Sequence, residues 1–280
     1  MRRLCLIGCF MLCSLAITRA EQLSPYLCDE NLSPVVANDS PVLLPYVTLM
    51  GTTLGADGSL TFINTSDKKI LYYLVVMEFS DSQGNYLFSA PVYNVDEKRQ
   101  IPFEVPFKEW LIANWPGGYM EAIPARSKSR EVFGTHLVAL TCPTSVRATA
   151  IWLKFEDGTE YKHVSKNLNL SPATRKPVKF KNIKQAKTWG PVTVVGNIKL
   201  DEQGRVTSTK IESPNERFKT WLTKEISGWE FTSPWVSGKP ASVTLPFLFI
   251  FANNADARTE AEAMKKQGIQ GPILLLSFRN

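Results

Sequence analysis

The stretch Gly190–Phe251 constrains this chain most, because successive switches of hydrophobic period within it dictate one order of elements. Val192, Val194 and Ile198 mark an apolar alternation, Asp201-Glu202-Gln203-Gly204 interrupts it, and a second alternating run follows from Val206 to Glu212. Period two on both sides of a turn signal predicts an antiparallel hairpin. Gly204 would take the left-handed backbone that penalises any residue with a Cβ. The slip in phase at Gly196 predicts a bulge or a close backbone approach. Phe218, Trp221, Leu222 and Ile226 then recur at helical spacing with Glu225 at the margin, and Gly228 closes the helix. Trp229 and Phe231 leave it on one side of an extended segment, sealing the helix onto the sheet. Gly238-Lys239-Pro240 forms a turn, and Ser242–Phe251 is a third strand.

This β–turn–β–α–β order resembles the C-terminal domain of the TonB family. The residues that carry the resemblance are Asp201 and Gly204 in the hairpin, Trp229 and Phe231 after the helix, Pro234, and Gly238, Lys239 and Pro240 in the turn. It covers about a quarter of the chain. TonB-family proteins are periplasmic and pass inner-membrane energy to outer-membrane transporters. The resemblance therefore implies an α+β domain with no cofactor and no catalytic role, acting through contacts with an envelope protein partner and linked to transmembrane transport. It also implies that an extended segment of the partner adds to an exposed sheet edge, here Ser242–Phe251 unless Pro246 or the closing strand Ile273–Phe278 blocks it. The chain departs from the family in three ways. It has a short leader where the energy transducers keep a membrane anchor, a β-rich region where they have a Pro, Glu and Lys spacer, and KQAKTWGP in place of a Tyr-Pro lead. A stand-alone exported adaptor fits these departures better than an energy transducer.

The N-terminus predicts the compartment. Arg2 and Arg3 precede a short apolar core, Leu4–Ile17, and Ala20 ends a small-residue site, the pattern of a secretory signal peptide over 1–20. The run is shorter than the ~20 residues of a membrane span. Cleavage after Ala20, lipidation at Cys9 and retention as an anchor all remain open, and membrane association is expected only in the last two cases. The location expected is periplasmic or secreted. Removing 1–20 takes three of the five cysteines, leaving Cys28 and Cys142, which are expected to pair in an oxidising compartment.

Residues 21–44 read as an extended lead-in rich in Ser, Pro and Asn. From 45 to 170 strand follows strand: Ser59–Asn64, Leu71–Phe79, Gln100–Phe107, Val132–Leu140, Arg147–Phe155 and Glu160–Val164, separated by Asp- and Gly-bearing turns. That spacing predicts an all-β sandwich of immunoglobulin-like or fibronectin-like architecture. Ser171–Lys187, rich in Lys and Pro, reads as a linker, and 188–280 as the α+β domain with a C-terminal extension. The fold expected is thus two-domain, an N-terminal sandwich followed by a TonB C-terminal-like α+β domain.

Chemistry is sparse. The formal net charge of +6 includes Arg2, Arg3 and Arg19 of the leader, and the remaining basic residues are interspersed with acidic ones, so no nucleic-acid footprint is expected. The two histidines, His136 and His163, lie in separate strand-like runs, and no Cys-x-x-Cys is present, which argues against a metal site. No nucleophile elbow, zinc-protease motif or phosphate-cradling loop occurs. A second functional class stays open. The Trp110–Tyr119 loop, with Trp110, Trp115 and Tyr119 around Pro116-Gly117-Gly118, could be a ligand platform, for carbohydrate for example, or a satellite core.

Overall fold

A computed structural model describes residues 31–52, 55–94, 105–113, 121–135, 137–139, 142–175, 192–213, 215–251 and 272–277. The leader 1–20, Cys28, Trp115, Tyr119 and His136 lie outside them. The N-terminal part contains β1 (Asn31–Leu32), β2 (Val42–Leu43), β3 (Val47–Thr52), β4 (Gly55–Asn64), β5 (Ile70–Ser80) and β6 (Tyr86–Tyr93). Helix α1 (Val105–Ala113) is followed by β7 (Lys128–Thr135), β8 (Leu137–Ala139), β9 (Ser145–Phe155) and β10 (Glu160–Val164). The C-terminal part contains β11 (Val192–Leu200), β12 (Val206–Glu212), α2 (Glu216–Ile226), β13 (Trp235–Val236), β14 (Lys239–Pro240), β15 (Val243–Phe251) and β16 (Pro272–Ser277). The protein is β-rich with few helices.

Two antiparallel sheets share the N-terminal core. In one, β4 pairs with β3 and β2 along one side and β7 along the other; in the second the order is β10-β9-β5-β6. Leu60 and Phe62 of the first sheet meet Tyr73, Val75, Met77 and Phe79 of the second in one buried cluster. Phe62 and Tyr73 have ring centroids 5.4 Å apart, and Phe79 stacks on Phe88 at 4.6 Å. Each fully buried apolar side chain of this kind contributes about 1.5–3 kcal/mol relative to exposure. The expected lead-in belongs to this core, since Leu32, Val42 and Leu44 are buried within it. One buried polar pair bridges the sheets. The Tyr73 phenol hydrogen-bonds the Glu131 carboxylate, which also accepts from Ser129 Oγ; burial, then Glu131, pushes the phenol's pKa up.

From Ile70 to Met77 β5 is apolar or aromatic without alternation, because both of its faces are covered. On the second face, Leu74, Val76, Ala150 and Trp152 pack against Phe107, Trp110 and Leu111 of α1. This corrects one expectation: Val105–Phe107, read as the end of a strand, opens a helix. Pro106 falls in its first turn, where a missing N–H costs no intrahelical bond. Of the strands that went unread from sequence, the longest are β3 and β6. Pro91 is tolerated in β6 because that strand lies at the sheet edge.

The third sheet has the order β12-β11-β15-β16-β8. Its last strand belongs to the N-terminal part. β7 ends in the first sheet at Thr135, and β8 begins in the third at Leu137. The chain's last described strand, β16, lies parallel to β15 along Phe247–Ile250 and antiparallel to β8 along Leu137–Ala139. N- and C-terminal segments therefore complete one sheet. Among the described residues no helix is long and apolar enough to cross a membrane.

Candidate functional site

Four of the eight residues named for the resemblance, Asp201, Gly204, Trp229 and Phe231, come together around the hairpin of the third sheet. Asp201 Oδ1 accepts from the backbone N–H of Gln203 at 3.0 Å and of Arg205 at 2.8 Å, while Gly204 N donates to Asp201 O at 3.0 Å. Gly204 takes φ +80°. A Cβ there would stand 2.3 Å from Phe231 O and 2.6 Å from Thr232 O, so the exit segment after the helix lies directly on the turn. Phe231 N donates to Gly204 O at 3.0 Å, locking the two together.

Asn215 caps α2, its side chain accepting from Phe218 N at 3.1 Å. Phe218, Leu222 and Ile226 are buried against Val194, Ile198, Leu245, Phe247 and Phe249. Trp229 and Phe231 join the same cluster, ring centroids 6.4 Å apart, as the sequence implied. The helix ends at Ile226 with Ser227 as its cap, so Gly228 is the first residue beyond the cap, where a closing glycine is expected. At Gly196 there is a close approach rather than a bulge. The Phe247 ring and Lys210 O occupy the space a Cβ would need, while the register shift falls at Lys199/Leu200.

The turn expected at Gly238-Lys239-Pro240 falls one residue earlier, at Ser237-Gly238, because Lys239–Pro240 pairs as β14, and it has a tertiary role. Ser237 and Gly238 both have positive φ, at 51° and 78°, joining β13 to β14 in a tight hairpin. Gly238 N donates to Leu168 O at 2.8 Å, and a Cβ on Gly238 would meet Lys166 O at 2.4 Å. Trp235 exchanges backbone hydrogen bonds with Leu170 and packs on the cluster beneath α1. Pro234 is buried and its carbonyl accepts from Ala241 N at 3.0 Å, whereas Lys239 and Pro240 are exposed.

The start of the expected linker is corrected by the same contacts. Ser171 is buried, its Oγ bonded to the Tyr86 hydroxyl and its carbonyl accepting from Trp110 Nε1 at 2.7 Å. Ala173 and Thr232 exchange hydrogen bonds of 2.7 and 3.0 Å, Arg175 N donates to Glu230 O at 2.9 Å, and the Arg175 guanidinium reaches Glu109 at 3.1 Å. Residues 171–175 are thus a hydrogen-bonded seam, buried at Ser171 and Pro172 and opening to an exposed Arg175; 176–187 lie outside the described residues. Asn169, which nothing in the sequence singled out, joins both sides. It donates to the buried Glu78 carboxylate at 3.0 Å and accepts from Ser237 N at 3.0 Å. Arg147 completes the pairing of Glu78, with contacts of 2.6 and 3.0 Å.

Trp110 follows the satellite-core alternative of the two readings left open for its loop. It is fully buried on α1, so it cannot offer its ring to a ligand; an aromatic at that position fills the gap between helix and sheet. Cys142 is disulfide-bonded, and its expected partner Cys28 lies outside the described residues. No cluster of three or more metal-ligating side chains occurs among the described residues. The expected docking strand, β15, has neighbours on both sides along Phe247–Ile250, where β16 covers it; no pairing with β16 extends to Val243–Pro246. Pro246 has no N–H to donate, which is consistent with the ladder stopping there. Comparison with family models, with curated proteins and with solved structures finds no significant match.

Proposed function

We propose that this protein is an exported, non-enzymatic bacterial envelope adaptor, in which a β-sandwich is joined to a TonB C-terminal-like α+β module that binds another envelope protein. The observation that carries the reading is the assembly of Asp201, Gly204, Trp229 and Phe231 into one locked unit of hairpin, capped helix and aromatic exit. These are four of the eight residues on which the resemblance rests. Export is supported by the leader pattern of 1–20 and by the disulfide at Cys142, because such bonds persist in oxidising compartments. Binding rather than catalysis is supported by the sheet geometry. Its strands offer backbone donors and acceptors to an added strand, and β16 already occupies part of the edge at which the resemblance places a partner.

The test is in-cell crosslinking with benzoyl-phenylalanine at Thr244, which stands on the open half of β15, followed by affinity capture from fractionated envelopes. The expected result is a discrete crosslinked envelope protein, recovered from the periplasmic or secreted fraction. A chain found in the cytosol, or one that crosslinks only to itself, would overturn the reading.

A further inference from the structure

We infer that β12 is a homotypic docking edge, on which β12 of a second copy of this chain pairs antiparallel about Ile211. In the third sheet β12 has a strand neighbour on one side only, β11. Among the described residues its other edge, Val206–Glu212, has no strand against it. Open edges of this length are ordinarily guarded by charge, because unpaired N–H and C=O groups recruit other strands. β12 carries two charges, Lys210 and Glu212, opposite in sign and two residues apart. Their side chains are 77% and 66% exposed.

That spacing discriminates between registers. Antiparallel pairing of two identical strands is defined by the residue on the two-fold axis, and charges directly opposite one another decide whether it is tolerated. An axis at Lys210 sets lysine against lysine, and one at Glu212 sets glutamate against glutamate. An axis at Thr209 leaves Lys210 opposite Ser208 and Glu212 opposite Val206. With the axis at Ile211, Lys210 faces Glu212 of the second copy and Glu212 faces Lys210 of the second copy. Both charges are then matched at once, in a short ladder centred on Ile211 that covers Lys210–Glu212 of each β12. The charges that guard the edge against other strands are therefore complementary to one strand in particular, its own copy.

The surroundings leave room for the exchange. Lys210 and Glu212 border a recess of about 230 Å³ on the sheet face away from α2, with Val195, Pro246 and Leu248 among its lining residues. Within one chain the two side chains touch at 3.4 Å, an exposed pair that costs little to trade for an intermolecular one.

Sedimentation equilibrium of the purified full chain, from micromolar to millimolar concentration, tests this at low salt. The expected result is a reversible monomer–dimer equilibrium. Lys210→Glu and Glu212→Lys alone should each weaken it at least about tenfold, since like charges then oppose twice per interface. An equimolar mixture of the two variants should dimerise again, because each supplies the charge the other needs. Circular dichroism and the urea midpoint of each variant, unchanged at these exposed positions, show that the fold is kept. A chain that stays monomeric, a dimer indifferent to both reversals, or a mixture that fails to reassociate would each overturn the inference.

Discussion

Two glycines in the same kind of turn offer a measurement in which local and tertiary costs separate. Asp81-Ser82-Gln83-Gly84-Asn85 and Asp201-Glu202-Gln203-Gly204-Arg205 make the same bonds. In each, the aspartate carboxylate accepts from the residues two and four ahead, and the glycine N–H donates to the aspartate carbonyl. The glycine φ values are +79° and +80°. Replacing either by alanine incurs the same backbone penalty, about 1–2 kcal/mol for a left-handed residue with a Cβ. At Gly84 nothing lies within 4 Å of the new atom, so the loss should end there. At Gly204 the Cβ would stand 2.3 Å from Phe231 O. Relief requires the exit segment to move, which strains the bond from Phe231 N to Gly204 O and disturbs the buried Phe231. A compromised buried hydrogen bond costs about 1–3 kcal/mol, and disturbed core packing about 1–2 kcal/mol more. Gly204→Ala should therefore cost about 3–5 kcal/mol or more, against about 1–2 kcal/mol for Gly84→Ala. Urea titration followed by tryptophan fluorescence gives both numbers, read as midpoint shifts at constant slope. Equal losses, or a larger loss at Gly84, would refute the claim that Gly204 is fixed by the segment lying on it.

The remaining predictions draw on the seam, the core and the charged turns. Trypsin should cut within 176–187, but the nicked halves should elute together under native conditions, because β8 and residues 171–175 pair with the C-terminal part; separate fragments would show that these pairings are weak. Deleting 254–280 strips β16 from both β15 and β8, so the truncated chain should gain association with a β16-sequence peptide measured by anisotropy, and unchanged binding would count against β16 as an edge cover. Arg147→Ala should cost about 1–3 kcal/mol, since it removes the guanidinium from the 3%-exposed Glu78 carboxylate and leaves Asn169 donating to it; a loss below the error of the urea midpoint would show the carboxylate to be solvated. Lys68, then Thr159, holds the Asp157 carboxyl below its ordinary value of 3.8, and Asn85 does the same for Asp81. Both depressed groups add stability that is fully present above 3.8 and fades as pH falls further, so urea midpoints should drop with acid, and more shallowly in Asp157→Asn.

Much of the local structure was legible in the sequence. The Asp201–Gly204 hairpin, the helical spacing of Phe218, Leu222 and Ile226, the shared direction of Trp229 and Phe231, and the strands of β4, β5, β9 and β10 all follow from short-range rules. Such rules act over a few residues: a carboxylate reaches amides two and four ahead, and a side chain's face is set by period two or 3.6. The candidate site was legible to the same extent, as a set of residue types at fixed offsets. Misreadings arose where a residue's role is set from far along the chain. Val105–Phe107 carry apolar and aromatic residues compatible with strand or helix, and the waiting outer face of β5 and β9 favours a helix that can lay Phe107, Trp110 and Leu111 on it.

By itself, then, the sequence determined the elements and most of their inward faces, because those depend on backbone sterics and hydrophobic period. Only the tertiary structure decided that Ser171 is buried rather than part of a free linker, that Asn169 joins Glu78 to Ser237, and that β16 runs between β15 and β8. These pairings join residues up to 137 positions apart, as Leu137 of β8 and Leu274 of β16 stand in sequence. No short-range pattern can specify them. They form because unpaired backbone groups and bare apolar faces are costly wherever the chain leaves them, and distant segments are what remains to cover them.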